Sequence, residues 1–441
     1  MGLTSGLFIS VLMIVAAGSL AATVWLWPKV AGRRLRDFGA RLGLLAVCQF
    51  LVIAAFLAFI NGYFSFFGSW PELFGTGAPP PIRLAEVGGN AKPVAVTATD
   101  LGPLLGSRSV LPLTADGALA SKPPGPPPSP GILPTLGGVR APDGPRPLGK
   151  SGLGRAGATP VGQTHSAASV SGEVLQVTIR GERSGIAVVK DYLYLPPQYF
   201  QPAYAHAKFP VVLTLTGYPN EPWSIVKRLA VPATAERLGA AKLIKPAIYL
   251  MMNVSPALPR DTECTNVPAG LQVFSFFAID VPRAMEQTFR VQAGRTGWAV
   301  LGYSTGGYCA AKLAMMDPGQ FSAAVSMAGY YNAIMDSTTG NLYGGSTAYQ
   351  NENDLDWRLA HLPAPPVSVL VTSSRVGDRG YPGTLAFLRL IHPPMSGYSL
   401  ILPQGGHNYR TWDRELPQSL EWLSKRLSPA VPQSAGAVQH S

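Results

Sequence analysis

The sequence predicts an α/β domain with a mostly parallel sheet and helices on both faces, preceded by two transmembrane helices and a Pro/Gly-rich linker. Three observations lead there. Two long apolar runs open the chain, prolines and glycines then crowd into one stretch, and from about 171 short β-rich runs alternate with helix-like ones. The composition agrees: 47% hydrophobic and 13% charged residues imply a large core, membrane segments, or both.

Residues 5–27 (SGLFISVLMIVAAGSLAATVWLW) carry no charge and reach the length of about 20 residues that a bilayer requires. The start MGLTS has no positive charge and the cations follow the run, which is the wrong order for a cleaved signal peptide. Residues 42–67 form a second run, interrupted by Gln49 and Asn61, and Trp25, Trp27, Tyr63 and Trp70 lie near the ends, where rings favour the headgroup region. Between the runs, Lys29, Arg33, Arg34, Arg36 and Arg41 oppose Asp37 alone, which assigns residues 28–41 to the cytoplasmic side and both termini to the outside.

From 76 to 170 the chain turns to Pro, Gly, Ala and Ser, a composition that buries too little apolar surface to fold. As a flexible tether it would span about 50–60 Å. Two nucleotide-binding patterns fall inside it, Gly144–Ser151 and Gly152–Gly157, but neither has the flanking strand and helix that phosphate binding needs, and Pro145 and Pro147 remove backbone donors. The net charge of +11 lies largely beside the first apolar run and in this linker, with no basic stripe interleaved with aromatics, so no nucleic-acid partner is expected. The expected organisation is an anchor over 1–75, the linker over 76–170, a folded domain over 171–428 and a disordered tail over 429–441.

Within the folded domain, strands are expected at 174–180, 187–195, 210–216, 247–252, 298–303, 323–328, 367–373 and 398–402, with helices at roughly 223–239, 280–291, 305–316, 383–391 and 412–427. Gly302-Tyr303-Ser304-Thr305-Gly306 joins the strand WAVLGY to the helix GGYCAAKLAMM, the strand–turn–helix context of a nucleophile elbow, and makes Ser304 the candidate nucleophile. A serine hydroxyl needs a base. Of the six histidines only His407 follows the last strand, in a Gly-Gly-His turn before the final helix. The orienting acid is expected between serine and histidine in the chain: Asp378, after the strand VSVLVTS, is the first choice, with Asp354 and Asp356 one strand earlier as alternatives. An oxyanion hole would take the amide of Thr305 and that of Tyr218 in the turn Gly217-Tyr218-Pro219, since Pro219 has no N–H.

From about 187 to 427 these pieces together resemble the esterase D-like branch of the α/β-hydrolases, which includes the secreted mycolyltransferases. The resemblance rests on YLYLPPQYF, LTLTGYPNEPW, the GYSTGG elbow, the loop acid and GGHNYRTW, with a tryptophan five residues after the histidine. It implies an α/β-hydrolase fold and cofactor-free ester hydrolysis or acyl transfer, with Ser304, Asp378 and His407 as the triad and the Tyr218 and Thr305 amides as the oxyanion hole. Mycolyltransferases carry an acidic residue just before the oxyanion-loop glycine, used on a sugar acceptor; here Thr216 stands there, which argues against trehalose as acceptor.

The expected activity is therefore that of a membrane-anchored, extracytoplasmic serine esterase acting on an ester or acyl substrate through an acyl-enzyme. Acyl transfer to a sugar or envelope alcohol, and a non-catalytic envelope-binding role, are the alternatives. No HExxH motif or Cys/His cluster suggests a metal. Trp223 and the loop Asp261–Cys264 fit a cleft lining and an ordinary structural role equally. With Cys48 in the second apolar run, Cys264 and Cys309 are the only cysteines of the outer domain, and an oxidising compartment permits a disulfide between them; two reduced buried thiols are the alternative.

Overall fold

The first apolar run folds as helix α1 (Gly6–Leu26), whose N-terminus is capped by the Ser5 side chain accepting from the Phe8 amide. The second forms α2 (Leu35–Phe64), which starts seven residues before the expected run and takes Arg36, Asp37 and Arg41 into its first turns. The expected 28–41 loop thus shrinks to a 3₁₀ turn at Trp27–Val30 and a few residues beyond it. Arg41 closes that turn by donating to the carbonyls of Val30 and Gly32. At the other end, Asn61 exchanges two hydrogen bonds with the Phe67 backbone, which accounts for one polar interruption of the apolar run. A short helix α3 (Trp70–Phe74) follows. Both long helices are long and apolar enough to cross a membrane, and most of their surface is uncovered by protein.

The structure is a computed structural model that describes residues 2–3, 5–32, 34–64, 67, 70–74, 83–87, 94–95, 171–187 and 189–433. Two pieces of the expected linker, β1 (Arg83–Val87) and β2 (Val94–Ala95), are strands; the rest of 76–170 lies outside the described residues, as does most of the expected tail. The remaining strands are β3 (Glu173–Ile179), β4 (Val189–Leu195), β5 (Val211–Leu215), β6 (Ile248–Met252), β7 (Trp298–Tyr303), β8 (Ala323–Met327), β9 (Ser368–Val376) and β10 (Ser396–Gln404). They form one sheet in the order β2-β1-β10-β9-β8-β7-β5-β6-β4-β3, parallel from β10 to β6 and antiparallel at both edges.

The central strands are buried along their whole length, which is why they read as continuous apolar runs. Alternation still sorts them. Trp298 and Val300 of β7 face one core, while Ala299, Leu301 and Tyr303 face the other. The second face is covered by α4 (Trp223–Lys227), α5 (Val231–Ala240) and the final helix. The first is covered by α6 (Val281–Thr288), α7 (Thr305–Met316), α9 (Leu355–His361) and α10 (Tyr381–Leu390), with α8 (Thr347–Asn353) leading into α9; the final helix is α11 (Tyr409–Ser424). The helix expected over 223–239 is broken in two because Ala230 adopts a left-handed conformation (φ 51°) just before Pro232. α6 continues a π-helical stretch, Phe276–Asp280.

β1 runs antiparallel to β10, pairing Leu84 with Leu400 and Val87 with Gly397. This short strand, between β2 at the edge and β10, joins the segment after α3 to the sheet by backbone hydrogen bonds. In the full chain, hydrogen–deuterium exchange of a peptide covering 84–87 is expected to lag the intrinsic rate by at least about tenfold. Exchange at the intrinsic rate would mean that β1 is not part of the folded sheet.

Candidate active site

β7 delivers Ser304 to the end of the sheet in a backbone conformation that non-glycine residues rarely adopt, φ 56° and ψ −124°. The turn exists because its neighbours lack side chains. A Cβ on Gly302 would lie 2.1 Å from the Gly306 carbonyl oxygen, and one on Gly306 would lie 2.3 Å from that of Thr216. The Ser304 amide donates to the Met327 carbonyl of β8 (2.9 Å), and α7 begins at the next residue. The serine hydroxyl is thereby left to point away from the strand.

His407 follows β10 and precedes the Asn408 cap of α11. Its Nε2 lies 2.8 Å from Ser304 Oγ. Trp412 packs edge-on against the imidazole at 5.1 Å. Burial lowers the His407 pKa below its ordinary value, opposed by the negative charge of Asp378. Asp378 follows β9, and its carboxylate is held from two sides: Ser373 Oγ donates to one oxygen (2.6 Å) and the Gly380 amide to the other (2.8 Å). Asp354 instead caps α9 by accepting from the Trp357 amide, and Asp356 lies in that helix's first turn, so both belong to a helix boundary.

The turn after β5 lies directly on the elbow: a Cβ on Gly217 would come within 2.9 Å of the Ser304 Cβ. The turn that carries Tyr218 thus borders the serine, and Thr305 is the first residue of α7. The Tyr218 hydroxyl donates to the Pro259 carbonyl (2.5 Å), tying the turn to the loop after β6. In that loop Cys264 is joined to Cys309 of α7 as a disulfide. Glu263 and Cys264 both have left-handed backbones. The Asp261 carboxylate, accepting from the Glu263 amide, supports that shape.

The sequence reading left several buried polar groups unassigned. Glu263 accepts from the Tyr330 hydroxyl and from the Ile334 amide, while Lys312 of α7 donates to the Glu263 carbonyl and to Thr265 Oγ1. Burial raises the Glu263 carboxyl and lowers the Lys312 amine, so both lean towards their neutral forms. Glu415, one turn beyond Trp412 on α11, accepts from the Thr372 hydroxyl (2.6 Å) and is pushed up to about 8 by burial. Asp191 of β4 is likewise pushed up to about 8. Only helical spacing hinted at Glu415, and nothing in the sequence distinguishes Glu263 from a solvated loop acid. Among the described residues, no group of three or more His, Cys, Asp or Glu side chains is placed to hold a metal ion.

Comparisons with known proteins fit this arrangement. A family model described as "Putative esterase" matches residues 188–423. An uncharacterized protein of Corynebacterium glutamicum is 22% identical over 268 residues, which covers 58% of this chain; the chain spans 62% of that relative's length. A solved ferulic acid esterase superposes with a TM-score of 0.50 at 18% identity, covering 58% of this chain and 99% of its own. An S-formylglutathione hydrolase from Agrobacterium tumefaciens gives 0.48 at 17% identity, covering 59% and 97%. At 18% identity the ferulic acid esterase speaks for the fold alone, an α/β-hydrolase sheet and its helices.

The buried Glu415 carboxyl makes stability depend on pH. Its folded pKa of about 8 exceeds the ordinary 4.5, so across that window the folded state keeps a proton that the unfolded state releases. Stability then falls as pH rises, by up to about 1.4 kcal/mol per pH unit for one such group. Glu415→Gln is expected to lose less thermal stability than the parent between about pH 5 and pH 8, with Glu263 and Asp191 supplying the slope that remains. Parallel unfolding midpoints for variant and parent would contradict this.

Proposed function

The chain belongs to the "Putative esterase" family, and from that premise we propose that Ser304 is its nucleophile, His407 its general base and Asp378 the acid that orients the histidine. The observation that carries the reading is the 2.8 Å approach of His407 Nε2 to Ser304 Oγ at the ends of β10 and β7. With the imidazole proton on Nδ1, the serine hydroxyl donates to Nε2, and the burial that lowers the His407 pKa keeps the ring neutral and ready to accept. Ser304 Oγ attacks the ester carbonyl as its proton passes to His407. The Tyr218 and Thr305 amides stabilise the oxyanion, and the Asp378 charge favours the imidazolium. His407 then returns the proton to the departing alcohol, leaving an acyl-enzyme. Water, deprotonated by the same ring, releases the acid. Hydrolysis is the reading the site supports; acyl transfer would use the same acyl-enzyme with an alcohol in place of water.

Membrane anchoring belongs to the same proposal. α1 and α2 form a two-pass hairpin, and the cations around the Trp27–Val30 turn support a cytoplasmic turn with the catalytic domain outside. In intact cells, an impermeant thiol reagent is expected to label Leu243→Cys and spare Arg34→Cys. The reverse pattern would overturn the topology.

The catalytic assignment is tested on a chromogenic short-chain ester. Ser304→Ala and His407→Ala should each lower kcat/KM by several orders of magnitude, roughly 10⁴ to 10⁶. The double variant should be little worse than either single one, because nucleophile and base act as a unit. Asp378→Asn should lose less, about 10⁴, with Asp354→Asn near the parent. A folded Ser304→Ala protein with parental turnover and fluorophosphonate labelling would refute the reading.

A further inference from the structure

Apolar side chains are not exposed evenly over the catalytic domain. Among the described residues from 171 onward, eight large apolar side chains are exposed, and five of them cluster at one end of the sheet. Trp223 follows β5, Leu258 follows β6, Ile334 and Met335 follow β8, and Val376 ends β9. These are the C-terminal ends of the parallel strands, where Ser304 and His407 also sit. Singly scattered apolar residues need no explanation, but their concentration at one end of the sheet marks a surface that meets something apolar.

The rim is fastened. Arg260 donates to the carbonyls of Thr339 and Asn341, so the loop bearing Leu258 is pinned to the loop that follows Ile334 and Met335. Exposed cations accompany two of these apolar groups: Lys227 and Arg228 follow Trp223, and Arg375 and Arg379 flank Val376, while the exposed Asp336 follows Met335. Apolar groups bordered by Lys and Arg are the composition of surfaces that lie in the boundary between anionic headgroups and acyl chains.

The path of the chain points the same way. β1 is antiparallel to β10 with Leu84 opposite Leu400, so its first residue, Arg83, lies in the C-terminal half of β10, the half that leads to His407. α3, at the end of the anchor, stops at Phe74, nine residues earlier. Nine residue steps span at most about 30 Å. β1 therefore lies within that distance of the end of α3, and the Pro/Gly chain beyond β2 plays no part in that separation.

We propose that the active-site end of the catalytic domain docks on the anionic bilayer its own anchor spans. Trp223, Leu258, Ile334, Met335 and Val376 sit at the headgroup–acyl boundary, and the substrate is a lipid ester drawn from that bilayer. The proposal rests on the membrane reading of α1 and α2 and on Ser304 as nucleophile.

The test uses the full chain, with Cys48→Ala and the Cys264–Cys309 disulfide intact, in nanodiscs of phosphatidylcholine with phosphatidylglycerol. An environment-sensitive fluorophore is placed on Met335→Cys or Ile334→Cys at the rim, and on Leu243→Cys, which precedes β6 at the opposite end of the sheet. Lipids spin-labelled in their acyl chains are expected to quench the rim probes several-fold more than the Leu243 probe, and less so in discs of phosphatidylcholine alone. Equal quenching at both ends overturns the docking. Fluorophosphonate labelling of the same samples reads the nucleophile separately. A labelled protein with unquenched rim probes sinks the docking and keeps the serine; an unlabelled protein with quenched rim probes does the opposite.

Discussion

Everything at the active site depends on how closely backbone can approach backbone where β7 meets α7. The strand must stop, reverse and become a helix within one residue while packed between β5 and β8. Ser304 adopts its left-handed φ there because the surrounding contacts over-determine it. Gly306 lies against the carbonyls of Leu215 and Thr216, Gly307 lies against β8, and the Ser304 amide is taken by Met327. Strain of this kind costs of order 1–3 kcal/mol and persists only when packing elsewhere holds it. In exchange the hydroxyl stands clear of the sheet, within reach of a histidine that arrives from a strand three positions away in the sheet.

Around that turn the domain hides more ionisable groups than hydrolysis requires. Three successive residues of the β6 loop are attached to the elbow region by different means. Glu263 accepts from Tyr330 beyond β8, Cys264 is bonded to α7, and Thr265 accepts from Lys312 of the same helix. The loop's left-handed residues would otherwise be free to relax. Rigid support for a site is often built from such satisfied polar networks, whose members cannot move independently without leaving a buried group unpaired. Glu415 departs from that logic: one carboxyl oxygen accepts from Thr372 and the other is buried without a hydrogen-bond partner among the described residues.

Much of this was legible in the sequence because one physical signal dominated each element. The eight expected strands correspond to β3–β10 with ends shifted by a few residues, since fully buried strands must be continuously apolar. Strand-end context, and not residue type alone, made Ser304 and His407 candidates, and the structure brings the two side chains to 2.8 Å. Asp378 was chosen by chain order, and the structure sets its charge against His407. The Ser373 hydroxyl that holds it was invisible, because one more serine in a strand carries no pattern. β1 and β2 were missed because strands of five and two residues inside a Pro-rich segment are too short for periodicity to register. Helices α8 and α9 were missed for a similar reason, being two turns long and divided at Asp354, which caps the second. Glu263 and Lys312 stand far apart in the chain, and only the folded loop brings them to the same helix.

The sheet order gives the long Pro/Gly segment a position in the molecule as well as a composition. β2 closes one edge and β3 the other, so residues 96–172 connect opposite margins of ten strands, a width of roughly 43 Å at the usual spacing. The anchor reaches the catalytic strands by covalent chain only through this connection. By hydrogen bonds it reaches them directly, through β1 against β10. A break anywhere in the connection would convert the enzyme into two polypeptides held at a β seam, a natural complementation pair. The N-terminal piece would supply a strand, and the C-terminal piece would carry Ser304, Asp378 and His407.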